Sequence, residues 1–196
     1  SMLFGIAFFS HQIGSFLGVW LGGWVFDSTG SYDAIWIASI ALGLLAALVQ
    51  DKTEPAIARA TALRSLTSPA ATATRASIVS GLGDEAALVR AAAVQALQHL
   101  DPRAQARLAS PLLSDAVRLV RIEAARTLAG LPEALFNRDQ WTAKQRATEE
   151  LIAAELAAAE LPESHLNLGD LYARLGRPED AEKELKQAIR LDPRFI

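Results

Sequence analysis

The distribution of charge along the chain is the feature that most limits how it can fold. All 19 Lys and Arg residues of this 196-residue chain lie after position 50, and residues 1–50 contain only two carboxylates, Asp27 and Asp33. A segment with so few charges suits lipid, whereas residues 51–196 are rich in alanine and carry nearly equal numbers of acidic and basic side chains. This balance disfavours nucleic acid as a partner, and the absence of cysteine excludes disulfides and Cys-ligated metals.

The first fifty residues contain two uncharged apolar spans, residues 3–26 and residues 34–50. At about 1.5 Å per helical residue they reach roughly 36 Å and 26 Å, against a bilayer core of about 30 Å. We therefore predict a transmembrane helical hairpin over residues 1–52, with a polar turn at residues 27–33 and membrane lipid around it. Basic residues follow only the second span, which places residues 51–196 on the cytoplasmic side of a membrane, with a bacterial inner membrane as our expectation. A buried hairpin in a water-soluble protein is the alternative.

A row of small residues lies along the first span. Gly14, Gly18 and Gly22 recur every four residues and leave one helical face without side chains. We expect this face to pack against the second span or against a second copy of the chain, which would form a homo-oligomer. His11 and Gln12 are strongly polar side chains deep in the span, and such groups are candidates for an intramembrane functional site. We favour a hydrogen bond between helices as the role of both, and a substrate or proton pathway is the alternative.

The residues of this segment resemble a known family. Residues 9–23, FSHQIGSFLGVWLGG, followed by DSTGSYD at residues 27–33, resemble the last two transmembrane helices of a major facilitator superfamily transporter. The resemblance implies a twelve-helix transporter with alternating access and with both termini in the cytoplasm. Transport needs two opposed helical bundles, so on this alternative the chain is the C-terminal end of such a transporter with an appended repeat extension.

A 31-residue repeat dominates the next part of the chain, residues 53–132. Three sets of residues recur at this interval: Arg59, Arg90 and Arg121; Ala62, Ala93 and Ala124; and Leu66, Leu97 and Leu128. Asp84 and Asp115 precede the second and third copies, where we expect them to cap helices. Shorter helices are predicted between the copies, at residues 69–82 and 102–113. The pattern resembles HEAT repeats, and the recurring arginines are expected to be solvated or to bond within the solenoid.

Residues 133–196 contain a second kind of repeat. Seven residues after Pro162 fall on the spacing of a tetratricopeptide (TPR) repeat: Leu168, Gly169, Tyr172, Ala181, Leu185, Ala188 and Pro193. The segment resembles one well-formed TPR unit, preceded at residues 138–160 by a helix that resembles a degenerate unit. The resemblance implies a peptide-binding face on the first TPR helix, formed by Asn167, Asp170 and Arg174.

Catalytic and metal-binding patterns are missing from the sequence. His99 and His165 have no second ligand at metal-binding spacing, and both are expected to be structural. A group of carboxylates is expected to form a solvated face: Glu149, Glu150, Glu155 and Glu160. We therefore expect a protein that is not an enzyme and has no cofactor and no metal.

These observations predict an all-α chain, a transmembrane helical hairpin followed by an α-solenoid of HEAT-like and TPR-like repeats. The predicted function is a non-catalytic, membrane-anchored scaffold that binds a protein or peptide partner on the repeat surface. The transporter end described above is the alternative. Similar HEAT and TPR tails follow exported multihaem cytochromes, but this chain has no haem-attachment motif.

Overall fold

The computed structural model describes residue 20, residues 23–66 and residues 72–194. These residues form α-helices joined by turns and short 3-10 segments, and no β-strand occurs among them. This confirms the all-α class that the sequence predicts. The chain divides into two compact units, residues 1–44 and residues 45–196. In chain order the helices are α1 (Asp33–Gln50), α2 (Ala56–Ser65), α3 (Thr72–Leu82), α4 (Ala87–Ala96), α5 (Pro102–Ala109), α6 (Arg118–Leu128), α7 (Arg138–Leu156), α8 (Pro162–Arg174) and α9 (Pro178–Leu191).

A turn joins two helical segments of the first unit, within the stretch where the sequence predicts it. Residues 23–29 are helical, Gly30 has a φ of +73°, and α1 begins at Asp33. The Gly30 amide donates to the Phe26 carbonyl at 2.7 Å, and the rings of Phe26 and Tyr32 stack at 4.8 Å. Glycine adopts this φ without strain, so Gly30 suits this turn.

Large apolar side chains of the first unit are exposed in its described part. The exposed fraction is 60% for Trp24, 66% for Ile37 and 67% for Leu44. Among the described residues, no helix combines the length and the apolar character that crossing a membrane requires. The predicted transmembrane hairpin is therefore not supported by these residues, and most of its first span lies outside them.

The second unit has the 31-residue period that the sequence shows. Helices α2, α4 and α6 begin 31 residues apart and pack in series, and we refer to α2–α6 as the 31-residue array. Leu66, Leu97 and Leu128 are at most 2% exposed and form its core. A helix lies between each pair of copies: α3, whose described part begins at Thr72, and α5, which ends at Ala109 and continues as the 3-10 segment Ser110–Ser114. Only α5, with 8 residues, is shorter than α2, α4 and α6, so the prediction of a shorter helix is wrong for α3, which has 11.

The recurring arginines bond successive copies of the array together. Arg90 Nε and Nη2 donate to the two carboxylate oxygens of Asp115, each at 2.8 Å, and Arg90 Nη1 donates to the backbone carbonyls of Asp84 and Glu85. Arg59 pairs with Asp84 across the same separation of 25 residues. The hydrogen bond from Arg90 holds the pKa of Asp115 below its ordinary value, although burial acts in the opposite direction. These two arginines therefore bond within the array.

Asp84 and Asp115 do not cap helices in the predicted way. Each carboxylate accepts from the amide two residues ahead, that of Ala86 at 2.9 Å and that of Val117 at 2.8 Å. Ala86 and Val117 are the N-cap residues of α4 and α6, and their side chains make no capping bond. The aspartates thus stabilise the turn before each helix, and the same carboxylates accept from the arginines.

The third recurring arginine, Arg121, pairs with a carboxylate on helix α7 instead of one in a turn. Arg121 Nη2 donates to Glu150 Oε2 at 2.8 Å, and Arg121 Nε lies 3.1 Å from both oxygens of that carboxylate. The residue 25 positions after Arg121 is Arg146, which cannot accept the hydrogen bond. The carboxylate of Glu150, one helical turn later in α7, accepts it instead. The predicted solvated face is therefore wrong for Glu150, and also for Glu155, which pairs with Arg126 at 2.8 Å.

Helices α8 and α9 form the helical hairpin that the TPR resemblance implies. Gly176 has a φ of +72° in the turn between them, and the Arg177 amide donates to the Tyr172 carbonyl at 2.9 Å. Gly169 lies directly against α9, because a Cβ placed on it would come within 2.7 Å of the Leu185 side chain. The absence of a side chain at Gly169 is therefore what allows the two helices to approach.

Candidate functional site

A polar groove lies where the 31-residue array meets the TPR hairpin, and its volume is about 380 Å³. We call it the α6–α8 groove. Its lining comes from α4 and the turn after it, from α6 and from α8: Gln95, Gln98, Glu123, Arg126, Thr127, Asn167, Asp170 and Arg174. The structure thus brings together the three residues that the TPR resemblance implies as a peptide-binding face. Their role in binding stays a prediction.

Asn167, Asp170 and Arg174 are exposed on α8, and two of them bond to neighbouring helices. Asn167 Nδ2 donates to Glu155 Oε2 at 3.2 Å, and Arg174 Nη2 donates to the Thr127 carbonyl at 3.3 Å. Asp170 Oδ2 lies 3.9 Å from Arg174 Nη1, and the Asp170 side chain is 71% exposed. The TPR hairpin is therefore attached to α6 and α7 by polar bonds at the edge of the groove.

Two carboxylates of the groove region lie near one guanidinium, and only one of them is hydrogen-bonded to it. Arg126 Nη2 donates to Glu155 Oε1 at 2.8 Å, whereas Arg126 Nε lies 4.0 Å from Glu123 Oε2, beyond hydrogen-bond distance. The second oxygen of Glu155 accepts from Asn167. Glu123 Oε2 is buried and has no hydrogen-bond partner in the described part of the chain, and the Glu123 side chain is 12% exposed. An unsatisfied acceptor therefore borders the groove.

The groove residues that the 31-residue array contributes are not among the site residues predicted from the sequence. The 31-residue period nevertheless carries a signal for them, because Arg64, Gln95 and Arg126 are spaced by 31 residues and each follows a recurring arginine by five. Arg64 and Gln95 also line a smaller cavity of about 150 Å³. These polar residues occupy the same position in each copy, and that recurrence could have indicated a polar surface along the array. Glu123 has no such signal, since the equivalent residue of the preceding copy is Ala92.

Lys144 is a buried cation that the sequence does not predict. It lies on α7, is 3% exposed, and donates from Nζ to the carbonyls of Leu131 at 2.8 Å and Ala129 at 3.2 Å. The centroids of the Phe136 and Trp141 rings lie 5.0 and 4.6 Å from the same nitrogen. Both carbonyls follow the end of α6, where backbone acceptors lack partners within the helix. Lys144 therefore joins α7 to the end of α6.

Burial makes the charge of Lys144 costly. Burial, together with a smaller repulsion from Arg174, lowers the pKa of the Lys144 ammonium to about 8. A cavity of about 450 Å³ lies beside it, lined in part by Trp141 and Arg177. Because the Lys144 nitrogen is engaged by two carbonyls and two rings, we assign it a structural role.

His165 also makes contacts within the fold. It is 7% exposed, its Nδ1 lies 2.6 Å from Glu184 Oε2, and its Nε2 lies 2.9 Å from the Ala159 carbonyl oxygen. These contacts join α8 to α9 and to the turn before α8. His99 is exposed, and its Nε2 lies 3.4 Å from the side-chain Nε2 of Gln98.

The N-terminal site predictions concern residues outside the described part of the chain. They are His11 and Gln12, predicted as an intramembrane polar site, and Gly14, Gly18 and Gly22, predicted as a helix-packing face. Both assignments stay predictions.

Comparison with known proteins identifies the repeat at the C-terminal end. A family model of the tetratricopeptide repeat matches residues 162–195, which include the whole α8–α9 hairpin and its Gly176 turn. No curated protein and no solved structure matches the chain. The TPR match indicates a helical-repeat scaffold for protein interaction. It does not extend to residues 53–132, for which the HEAT-like assignment stays a prediction.

Proposed function

We propose that residues 56–194 form a non-catalytic scaffold of HEAT-like and TPR-like repeats that binds an extended segment of a partner protein in the α6–α8 groove. One observation carries this proposal: α4, α6 and α8 contribute polar side chains from two kinds of repeat, including Gln95, Arg126 and Asn167, to a single groove. Helical solenoids bind partners on extended surfaces that several repeats build together.

The groove side chains suit the main chain of an extended peptide. The amides of Gln95, Gln98 and Asn167 each offer donors and an acceptor, so each can pair with a peptide N–H or C=O group. Asp170 and Arg174 add one charge of each sign for the side chains of the partner. A groove of this volume accommodates only a few residues, so we expect affinity on the order of micromolar.

Selection from a displayed library of short random peptides on the full chain tests this proposal. We expect binders, and we expect the double variant Gln95→Ala, Gln98→Ala to weaken them about tenfold, since it removes two hydrogen-bonding side chains worth about 0.5–1.5 kcal/mol each. The matched control is Gln145→Ala, which removes an exposed amide of α7 outside the groove and should leave affinity unchanged.

Two outcomes would count against the proposal. Peptides that bind the double variant as tightly as the original chain would place the binding surface elsewhere. A library that yields no binder would contradict the proposed peptide-binding function.

We also propose that residues 1–50 contact membrane lipid, with residues 51–196 on the cytoplasmic side. Support comes from the exposure of apolar side chains such as Trp24, Ile40 and Leu44, together with the absence of Lys and Arg from residues 1–50. Cell fractionation tests this: the full chain should stay in the membrane pellet after a carbonate wash. Recovery of the chain in the supernatant would contradict it.

The alternative is that this chain is the C-terminal end of a major facilitator superfamily transporter with a repeat extension. It rests on the resemblance of residues 9–33 to the last two transmembrane helices of such a transporter. It requires further membrane spans encoded upstream of residue 1, which the anchored scaffold does not require. Reading the upstream coding sequence distinguishes the two.

A further inference from the structure

We propose that the peptide bound in the α6–α8 groove carries a lysine or arginine side chain that pairs with Glu123. This inference rests on the proposed function and adds the chemistry of the partner to it. It depends on how the carboxylates and guanidinium groups around the groove are paired with one another.

Arg126 is committed to one of its two neighbouring carboxylates. Its Nη2 donates to Glu155 at 2.8 Å, and Asn167 donates to the other oxygen of Glu155 at 3.2 Å. Glu123 is left with the Nε of Arg126 at 4.0 Å, and its buried Oε2 accepts no hydrogen bond from any described residue. Glu123 is therefore the acceptor that the fold leaves unsatisfied at the groove.

The charge around the groove also favours a cation. Both guanidinium groups of the lining are engaged away from Glu123: Arg126 donates to Glu155, which lies outside the lining, and Arg174 donates to the Thr127 carbonyl and lies 3.9 Å from Asp170. A lysine ammonium or an arginine guanidinium would supply both the missing donor and the missing positive charge, whereas a neutral donor such as a serine hydroxyl would supply only the first. Charge complementarity of this kind determines which partners bind a surface.

Parallel peptide selections on three full-length chains test the inference: the original chain, Glu123→Gln and the control Glu149→Gln. Glu149 is an exposed carboxylate of α7 that lines a different cavity, so both variants lose one negative charge. We expect Lys or Arg to be enriched at one peptide position with the original chain and with Glu149→Gln. We expect Glu123→Gln to select peptides that lack this enrichment.

A selected peptide then provides a direct measurement. Replacing its basic residue with norleucine should weaken binding to the original chain about tenfold or more and should leave binding to Glu123→Gln unchanged, which isolates the pairing between the two groups. Glu123→Asp, which keeps the carboxylate, is measured beside Glu123→Gln and should still prefer the basic peptide. A loss of preference in Glu123→Gln is then assigned to the lost charge and not to lowered stability.

Each outcome is decisive. Basic enrichment that persists with Glu123→Gln, or groove-binding peptides without basic enrichment on the original chain, would overturn the inference and leave the proposed function intact. Absence of any peptide binder would overturn the proposed function and the inference with it.

Discussion

Arg90 and Asp115, which are 25 residues apart in the sequence, are joined by two side-chain hydrogen bonds of 2.8 Å. Because Asp115 also accepts from the Val117 amide, one carboxylate connects α4 to the turn that precedes α6. Arg59 and Asp84 repeat this pairing in the previous copy. Successive copies of the array are thus linked by ion pairs as well as by apolar packing.

Removal of the arginine should destabilise the array. The side chains of Arg90 and Asp115 are only 15% and 9% exposed, so Arg90→Met leaves a largely buried carboxylate without its partner. We expect urea unfolding to show a loss of about 2–4 kcal/mol. Arg103→Met, which changes an exposed arginine of α5, should stay within about 0.5 kcal/mol of the original chain. If adding Asp115→Asn to Arg90→Met restores no stability, an uncompensated charge is not the cause of the loss.

The same pair predicts a response to acid. The pKa of Asp115 lies below its ordinary value of 3.8 because Arg90 donates to its carboxylate. The unfolded chain therefore binds more protons in this range, so the contribution of Asp115 is present above the ordinary pKa and is lost as the pH falls below it. Unfolding free energies measured from neutral pH to about pH 3 should decline less steeply in Arg90→Met than in the original chain. Parallel curves would contradict this assignment.

Close packing of helices α8 and α9 predicts that a side chain at Gly169 lowers stability. A Cβ on Gly169 would lie 2.7 Å from two carbon atoms of Leu185, so Gly169→Ala should reduce the unfolding free energy by about 1–3 kcal/mol despite the better helix propensity of alanine. Gly83→Ala, in the turn after α3, is the control for steric contact, because the nearest atom to its Cβ is 3.9 Å away. Equal stability of the two variants would mean that α8 and α9 pack less closely than described.

Lys144 predicts a response at alkaline pH. Burial lowers its pKa from 10.5 to about 8 in the folded chain, so between these values the unfolded chain binds more protons and folded stability should rise with pH. The unfolding free energy of the original chain relative to Lys144→Met should therefore increase by up to roughly 3 kcal/mol over this range. A constant difference would show that Lys144 keeps its ordinary pKa.

The 31-residue period could be predicted from the sequence because the residues that repeat at this interval include apolar residues of the core. Leu66, Leu97 and Leu128 recur at that interval and are all buried. The shared face of Asn167, Asp170 and Arg174 was predictable for a similar reason, since helical residues three and four apart lie on one side.

Glu123 and Lys144 were not predictable in this way. Each is a single charged residue in a helix of mixed composition, and its environment depends on segments that only the tertiary fold brings close. Glu123 becomes unsatisfied because Glu155, 32 residues later, takes the hydrogen bond of Arg126. Lys144 becomes buried because its ammonium group lies against the rings of Phe136 and Trp141 and donates to two carbonyls just after the end of α6.

The central claim, that the α6–α8 groove binds an extended peptide, is tested most directly by site-specific cross-linking. The chain has no cysteine, so His99→Cys provides one attachment point for a benzophenone label beside Gln98 of the groove, and Gln145→Cys provides one away from it. On illumination with a selected peptide, we predict cross-links from position 99 that excess unlabelled peptide suppresses, and none from position 145. Cross-links from position 145 alone would contradict the claim.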